Sequence, residues 1–195
     1  MTPSIPELMA IAHQLFPVGH RPGDDKTSPE YQRRAAAWVE ARPQYPTWRA
    51  MLRRLSGRFP NTEVRNESLR MEAADSDPWD RCFMGAIYIW PIGPIELEHR
   101  IGFRASFVVP YYYIYSLRVV KPHADSEPID ADDRRSFEFS PDEAPIAAAV
   151  EEEIHKPLPS LERMDPKIGM TIVPDVVTGC SVLGETTLFD CLFSD

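Results

Sequence analysis

The feature that most constrains the fold is an apolar alternation in the middle of the chain. Over residues 81–90, Cys82, Met84, Ala86, Tyr88 and Trp90 alternate with Phe83, Gly85, Ile87 and Ile89. Successive side chains of a strand point to opposite faces. A strand here is therefore apolar on both faces, and it needs cover above and below. The pattern predicts a central strand. Residues 92–98, 101–109 and 111–120 read as further strands of a meander, joined at His99-Arg100 and broken or bulged at Pro110. Residues 63–69 form a weaker strand candidate, and 134–139 a short one with Phe137 and Phe139 on one side.

The first 60 residues have a helical period instead. Ser4-Ile5-Pro6-Glu7 has the form of a capping box, and Leu8, Ile11, Ala12 and Leu15 follow at helical spacing. Ser28-Pro29-Glu30 starts a second helix, with Ser as N-cap and Pro at the first helical position. Pro43 and Pro46 break it. A third helix has Trp48, Met51, Leu52 and Leu55 on one side, with Gly57 as its stop. Residues 140–155 read as a further helix, regular from Ile146 onward, with Glu151, Glu152 and Glu153 as an acidic rim. Residues 170–177 and 186–193 read as a closing pair of strands. The expectation is one α+β domain, helical over 1–60 and sheet-forming over 61–195. An N-terminal helical layer packs on a mainly antiparallel sheet, with one further helix before the C-terminal strands.

Charge is distributed unevenly. Residues 1–60 hold 9 Lys+Arg against 5 Asp+Glu, whereas residues 121–165 hold 5 against 13 and carry most of the net −9. Such a field attracts a cationic partner and repels nucleic acid and anionic membrane. Three widely spaced cysteines, Cys82, Cys180 and Cys191, fit a reducing compartment better than a disulfide framework. The N-terminus has no basic region followed by an apolar one, and no apolar run approaches the ~20 residues that span a bilayer. A cytoplasmic protein is expected.

Motifs that carry chemistry are sparse. Metal-ligand spacings such as C-x-x-C and H-E-x-x-H do not occur, and neither G-x-G-x-x-G nor a P-loop is present, so no cofactor is expected. A site on the sheet would draw first on Glu96, Glu98, His99, Asp190 and Cys191. Period two turns His99 away from the two glutamates, which favours a solvated strand face over a ligand set. Cys82 and Cys191 alternate with bulky apolar residues and read as small core residues. Asp190, between Phe189 and Cys191, departs from an otherwise apolar segment. Burial would require a pairing to an Arg or to backbone N–H groups. The only clear basic patch, Arg33 and Arg34 with Arg49, Arg53, Arg54 and Arg58, reads as the solvated side of two helices. Alternation places Tyr112 opposite Tyr111, Tyr113 and Tyr115, with one of these faces in the core and the other wet.

The C-terminal run Pro174-Asp175-Val176, then Gly184-Glu185-Thr186-Thr187-Leu188-Phe189-Asp190-Cys191-Leu192-Phe193, together with the N-terminal helices and the Trp/Tyr-rich middle, resembles immunity proteins of bacterial polymorphic toxin systems. Within these it is similar to the fifty-second immunity family, which is associated with nuclease toxins of restriction-endonuclease type. The resemblance covers most of the chain, but its motifs are soft and apolar, and it carries over no catalytic residue. It implies a non-enzymatic protein that neutralises a cognate toxin by complex formation. The charge map points the same way, because a nuclease presents a cationic cleft to phosphates and an inhibitor gains by being acidic where it docks. The expected contact field is Asp125, Glu127, Asp130, Asp132, Asp133, Asp142 and Glu143, with Tyr112 as an anchor beside it. Alternatives are an enzyme or small-ligand protein with a site on the sheet, or an adaptor or chaperone for a secreted effector. Reversing Asp130, Asp132 and Asp133 to Lys is predicted to leave the fold intact and slow association. Reversing Arg49, Arg53 and Arg54 to Glu is predicted to affect neither.

Overall fold

A computed structural model describes residues 3–22, 25–68, 71, 80–89, 97–120, 135–179 and 181–193, with the backbone only of 97, 98, 119 and 120. Helix α1 (Ile5–Leu15) begins at Ser4, whose N–H and hydroxyl both donate to Glu7 at 2.7 Å. Helix α2 (Pro29–Ala41) begins at Ser28, whose hydroxyl accepts from the Tyr31 N–H. Both caps were legible as short polar motifs. The prolines at 43 and 46 produce one 3-10 turn, Arg42–Gln44, which leads directly into α3 (Tyr45–Arg58). Gly57 lies inside α3, and the helix ends at Phe59, whose N–H reaches the Leu55 carbonyl.

The strands are β1 (Glu63–Asn66), β2 (Cys82–Tyr88), β3 (Leu97–Ser106), β4 (Tyr111–Val120) and β5 (Arg135–Ser136). They pair in that order, each antiparallel to the next. A sixth strand, β6 (Glu162–Arg163), joins the start of β4 in parallel. All seven residues of β2 are buried, and the strand has a neighbour on each edge, as its double apolar face requires. Strand β3 departs from expectation. It runs unbroken through His99 and Arg100, and the turn into β4 lies at residues 107–110. His99 and Arg100 look like turn residues because they are polar. In the fold they are strand residues whose side chains bond Glu143 and Glu67, at 2.6 and 2.7 Å.

Alternation divides the sheet between two cores. Phe83, Ile87, Ile101, Phe103, Tyr112 and Ile114 face a core shared with α3 and with α4 (Ala144–His155). Cys82, Met84, Tyr111, Tyr113, Tyr115 and Leu117 face a second core shared with α1 and the C-terminal segment. The tyrosine run thus has no wet face. The helices cover both sides of the sheet and do not form one N-terminal layer.

The C-terminal strand pair is also corrected. The region holds α5 (Pro166–Gly169), two isolated bridges and α6 (Leu188–Phe193). The apolar run of α6 is buried all round, which is what a helix enclosed by other elements requires. The Phe189 and Phe193 rings stack one turn apart at 5.6 Å and meet Tyr113 edge-on at 5.1 and 5.0 Å. Each such aromatic pair contributes roughly 0.5–1.5 kcal/mol beyond its buried area.

Asp190 explains why this run is helical. Its carboxylate accepts from the Thr187 N–H at 2.9 Å and the Thr187 hydroxyl at 2.7 Å, while its own N–H donates back to that hydroxyl. This is a capping box in T-x-x-D form. The expected pairing of Asp190 to backbone N–H groups is present. Arg135 stands farther off, at 4.0 Å.

Candidate partner interface

The segment between β4 and α4 carries the acid that distinguishes this chain. Strands β4 and β5 lie side by side through Ser116↔Ser136 and Leu117↔Arg135. Asp125, Glu127, Asp130, Asp132 and Asp133 fall between these strands and lie outside the described residues. Asp142 is exposed on the turn that precedes α4.

Glu143 is not part of that surface. Its side chain is 3% exposed, and four donors converge on it. The Ser116 hydroxyl and His99 Nε2 reach Oε1 at 2.6 Å, Arg118 Nη2 reaches Oε1 at 3.0 Å, and the Ser140 N–H reaches Oε2 at 2.7 Å. Burial by itself would raise the Glu143 pKa. The hydrogen bonds from Ser116, Ser140, His99 and Arg118 outweigh it and hold the carboxyl well below the usual carboxylate range. Ser140 and Glu143 stand in the S-x-x-E spacing of a capping box, the sequence signal that could have revealed a structural role. The glutamate reaches back to Ser140 and also bolts the start of α4 to β3 and β4.

Tyr112 is likewise withdrawn from the surface, at 0% exposure. Its hydroxyl gives its only proton to Glu151, so the His155 Nε2–H must be the donor in the 3.2 Å contact to the same oxygen. Burial first, and then the bond to Glu151, raises the Tyr112 pKa. The ring lies in the α3–α4 core and cannot anchor a partner from this position.

The acidic rim of α4 meets the basic face of α3. Arg54 pairs with Glu153 at 2.6 Å, Arg58 pairs with Glu152 at 2.7 Å, and Lys156 bridges both glutamates at 3.0 and 2.6 Å. The Glu153 side chain is only 6% exposed. Part of the contrast between a basic N-terminal region and an acidic later one is therefore complementarity inside the molecule. Arg34 is not solvated either. It is 2% exposed, donates to the Leu15 carbonyl and lies over the Phe16 and Tyr31 rings.

After these pairings, two exposed carboxylates remain beside the sheet edge, Glu138 and Asp142. Neither side-chain carboxylate makes a hydrogen bond or ion pair with any described residue. Next to them is a cleft of about 600 Å³, lined by Ser136, Glu138, Phe139 and Ser140 with Ser116, Arg118 and the edge of Glu143.

The residues suspected of a site on the sheet do not converge. Glu96 lies outside the described residues, as does the Glu98 side chain. His99 sits on Glu143 at the α4 side, whereas Cys191 belongs to the core on the opposite face, in the helix that Asp190 caps. Cys191 is fully buried, and burial pushes its thiol up to about 12, far from a reactive thiolate. Among the described residues no group of three or more His, Cys, Asp and Glu is arranged to hold a metal ion, and no helix is long and apolar enough to cross a membrane. A half-exposed pair, His13 with Asp175 at 2.9 Å, ties α1 to the C-terminal segment.

These features define an α+β protein with a polar cleft beside the β4–β5 edge of its sheet. No protein-family model, no curated protein and no solved structure matches the chain.

Proposed function

We propose that this protein is a binding module of the immunity type, which neutralises a cationic protein toxin, a nuclease with a basic cleft, through the acid between β4 and α4. The reading is supported by the contrast between two sets of carboxylates. Glu143, Glu151, Glu152 and Glu153 are consumed by contacts within the chain. Glu138 and Asp142 are not, and in the sequence they follow closely on five further acids, Asp125, Glu127, Asp130, Asp132 and Asp133. The contact field becomes Asp125, Glu127, Asp130, Asp132, Asp133, Glu138 and Asp142, without Glu143 or Tyr112. Exposed charge of this kind acts mainly on association rate and on its salt dependence.

Co-purification from the native cell identifies the partner, and stopped-flow association across a range of ionic strength tests the mechanism. The rate should fall steeply with salt, because attraction between exposed charges is screened within ~10 Å at 0.1 M. Replacing Asp130, Asp132 and Asp133 by Lys should slow association, while Arg53→Glu in α3 leaves it unchanged. A salt-independent rate would remove the acidic interface.

A further inference from the structure

We propose that the cleft beside Glu143 receives an arginine side chain of the partner, an inference that rests on the binding-module reading above. Two of the chain's own arginines mark the walls of this cleft as surfaces that accept a guanidinium. Arg118 lies on Glu143 at 3.0 Å, and Arg163 lies over the Phe139 ring at 5.3 Å. Glu138 lines the same cleft, and its carboxylate is exposed and unpaired among the described residues. The Ser136 and Ser140 side chains border the same space.

The cleft thus offers one unpaired carboxylate, Glu138, beside an aromatic wall, while the buried Glu143 charge at its edge already holds Arg118. Glu143 stays ionised because its donors hold it so. A guanidinium suits this lining better than an ammonium does. It is planar, weakly hydrated, donates in a fork to a carboxylate and stacks on a ring. An ammonium is a compact, strongly hydrated charge that gains less from the phenyl face. A basic nuclease cleft is rich in side chains of the first kind, since arginine is a general phosphate ligand.

The test uses the full chain and a capped Gly-Arg-Gly peptide, followed by amide chemical shifts in two-dimensional NMR at low salt. Capped Gly-Lys-Gly and Gly-citrulline-Gly serve as comparisons. Saturable shifts confined to Ser136, Glu138, Phe139 and Ser140 are expected with the arginine peptide. The citrulline peptide should bind about tenfold more weakly, because it keeps the shape and loses the charge-assisted bonds. Glu138→Gln should weaken the arginine peptide by about the same factor, and Ser136→Trp should block the cleft. Equal binding of the arginine and lysine peptides with no response to Glu138→Gln would overturn the proposal, since it would mean diffuse attraction. Absence of saturable shifts would overturn it too. The titration needs no partner, so its failure beside a surviving salt-dependent complex would remove the arginine site alone. Peptide binding without any salt-dependent complex would remove the broader reading instead.

Discussion

Removing the Glu143 carboxylate should test the α4 anchor directly. In Glu143→Ala, the Ser116 hydroxyl, the His99 Nε2–H and the Ser140 N–H all lose their acceptor, and Arg118 loses its ion partner. The Arg118 side chain is 54% exposed, so water replaces most of that contact and its loss costs at most about 1 kcal/mol. The other three donors are largely enclosed. Leaving buried donors unsatisfied costs roughly 1–3 kcal/mol each, and such terms overlap within one network. A total destabilisation of about 3–5 kcal/mol is expected, the range typical of a broken buried charge pair. Urea unfolding at neutral pH measures it.

The pH dependence supplies the sign. The folded pKa of Glu143 lies below its ordinary value of 4.5. Its stabilisation is therefore fully present above that ordinary value and is lost as pH falls below it towards the folded pKa. The stability gap between the wild type and Glu143→Gln should be constant from neutral pH down to about pH 5 and should shrink at lower pH. A Glu143→Ala cost below about 1 kcal/mol, or a gap that widens in acid, would refute the hub reasoning.

Three further outcomes follow from the same contacts. Arg54→Glu places a second carboxylate against the buried Glu153 and should destabilise the fold by about 2 kcal/mol in thermal or urea unfolding, whereas the exposed Arg53→Glu should stay within about 0.5 kcal/mol. Reversing Arg54 is thus not the neutral change that its position in a basic helix face suggested. Thr187→Val removes the cap of α6 while keeping the side-chain shape, and should cost about 1 kcal/mol in the same assay. In a Cys180→Ser background, Cys82 and Cys191 should resist a thiol reagent in the native state and react on unfolding, because both are fully buried. Rapid native labelling of either would contradict the burial.

Local physics was legible in the sequence. The caps at Ser4 and Ser28 need only neighbours three residues away, and they mark helices α1 and α2. The two-faced alternation of β2 demanded cover on both sides, and both cores are there. The roles of the charged residues were not legible. Glu143 reads as one more surface acid until the fold brings Ser116, His99 and Arg118 around it across distances of 25 to 44 residues. Glu152 and Glu153 look like a solvated rim until α3 arrives with Arg54 and Arg58. The stretch 186–193 shows the limit within secondary structure itself. Its apolar run suits a strand or a buried helix, and a two-residue polar motif, Thr187 with Asp190, tips it to helix. Hydrophobic period and capping act over one or two turns of chain and can be read from neighbours. A charge acquires its meaning only from what stands opposite it in space, and that is decided when the sheet and its two helical covers close.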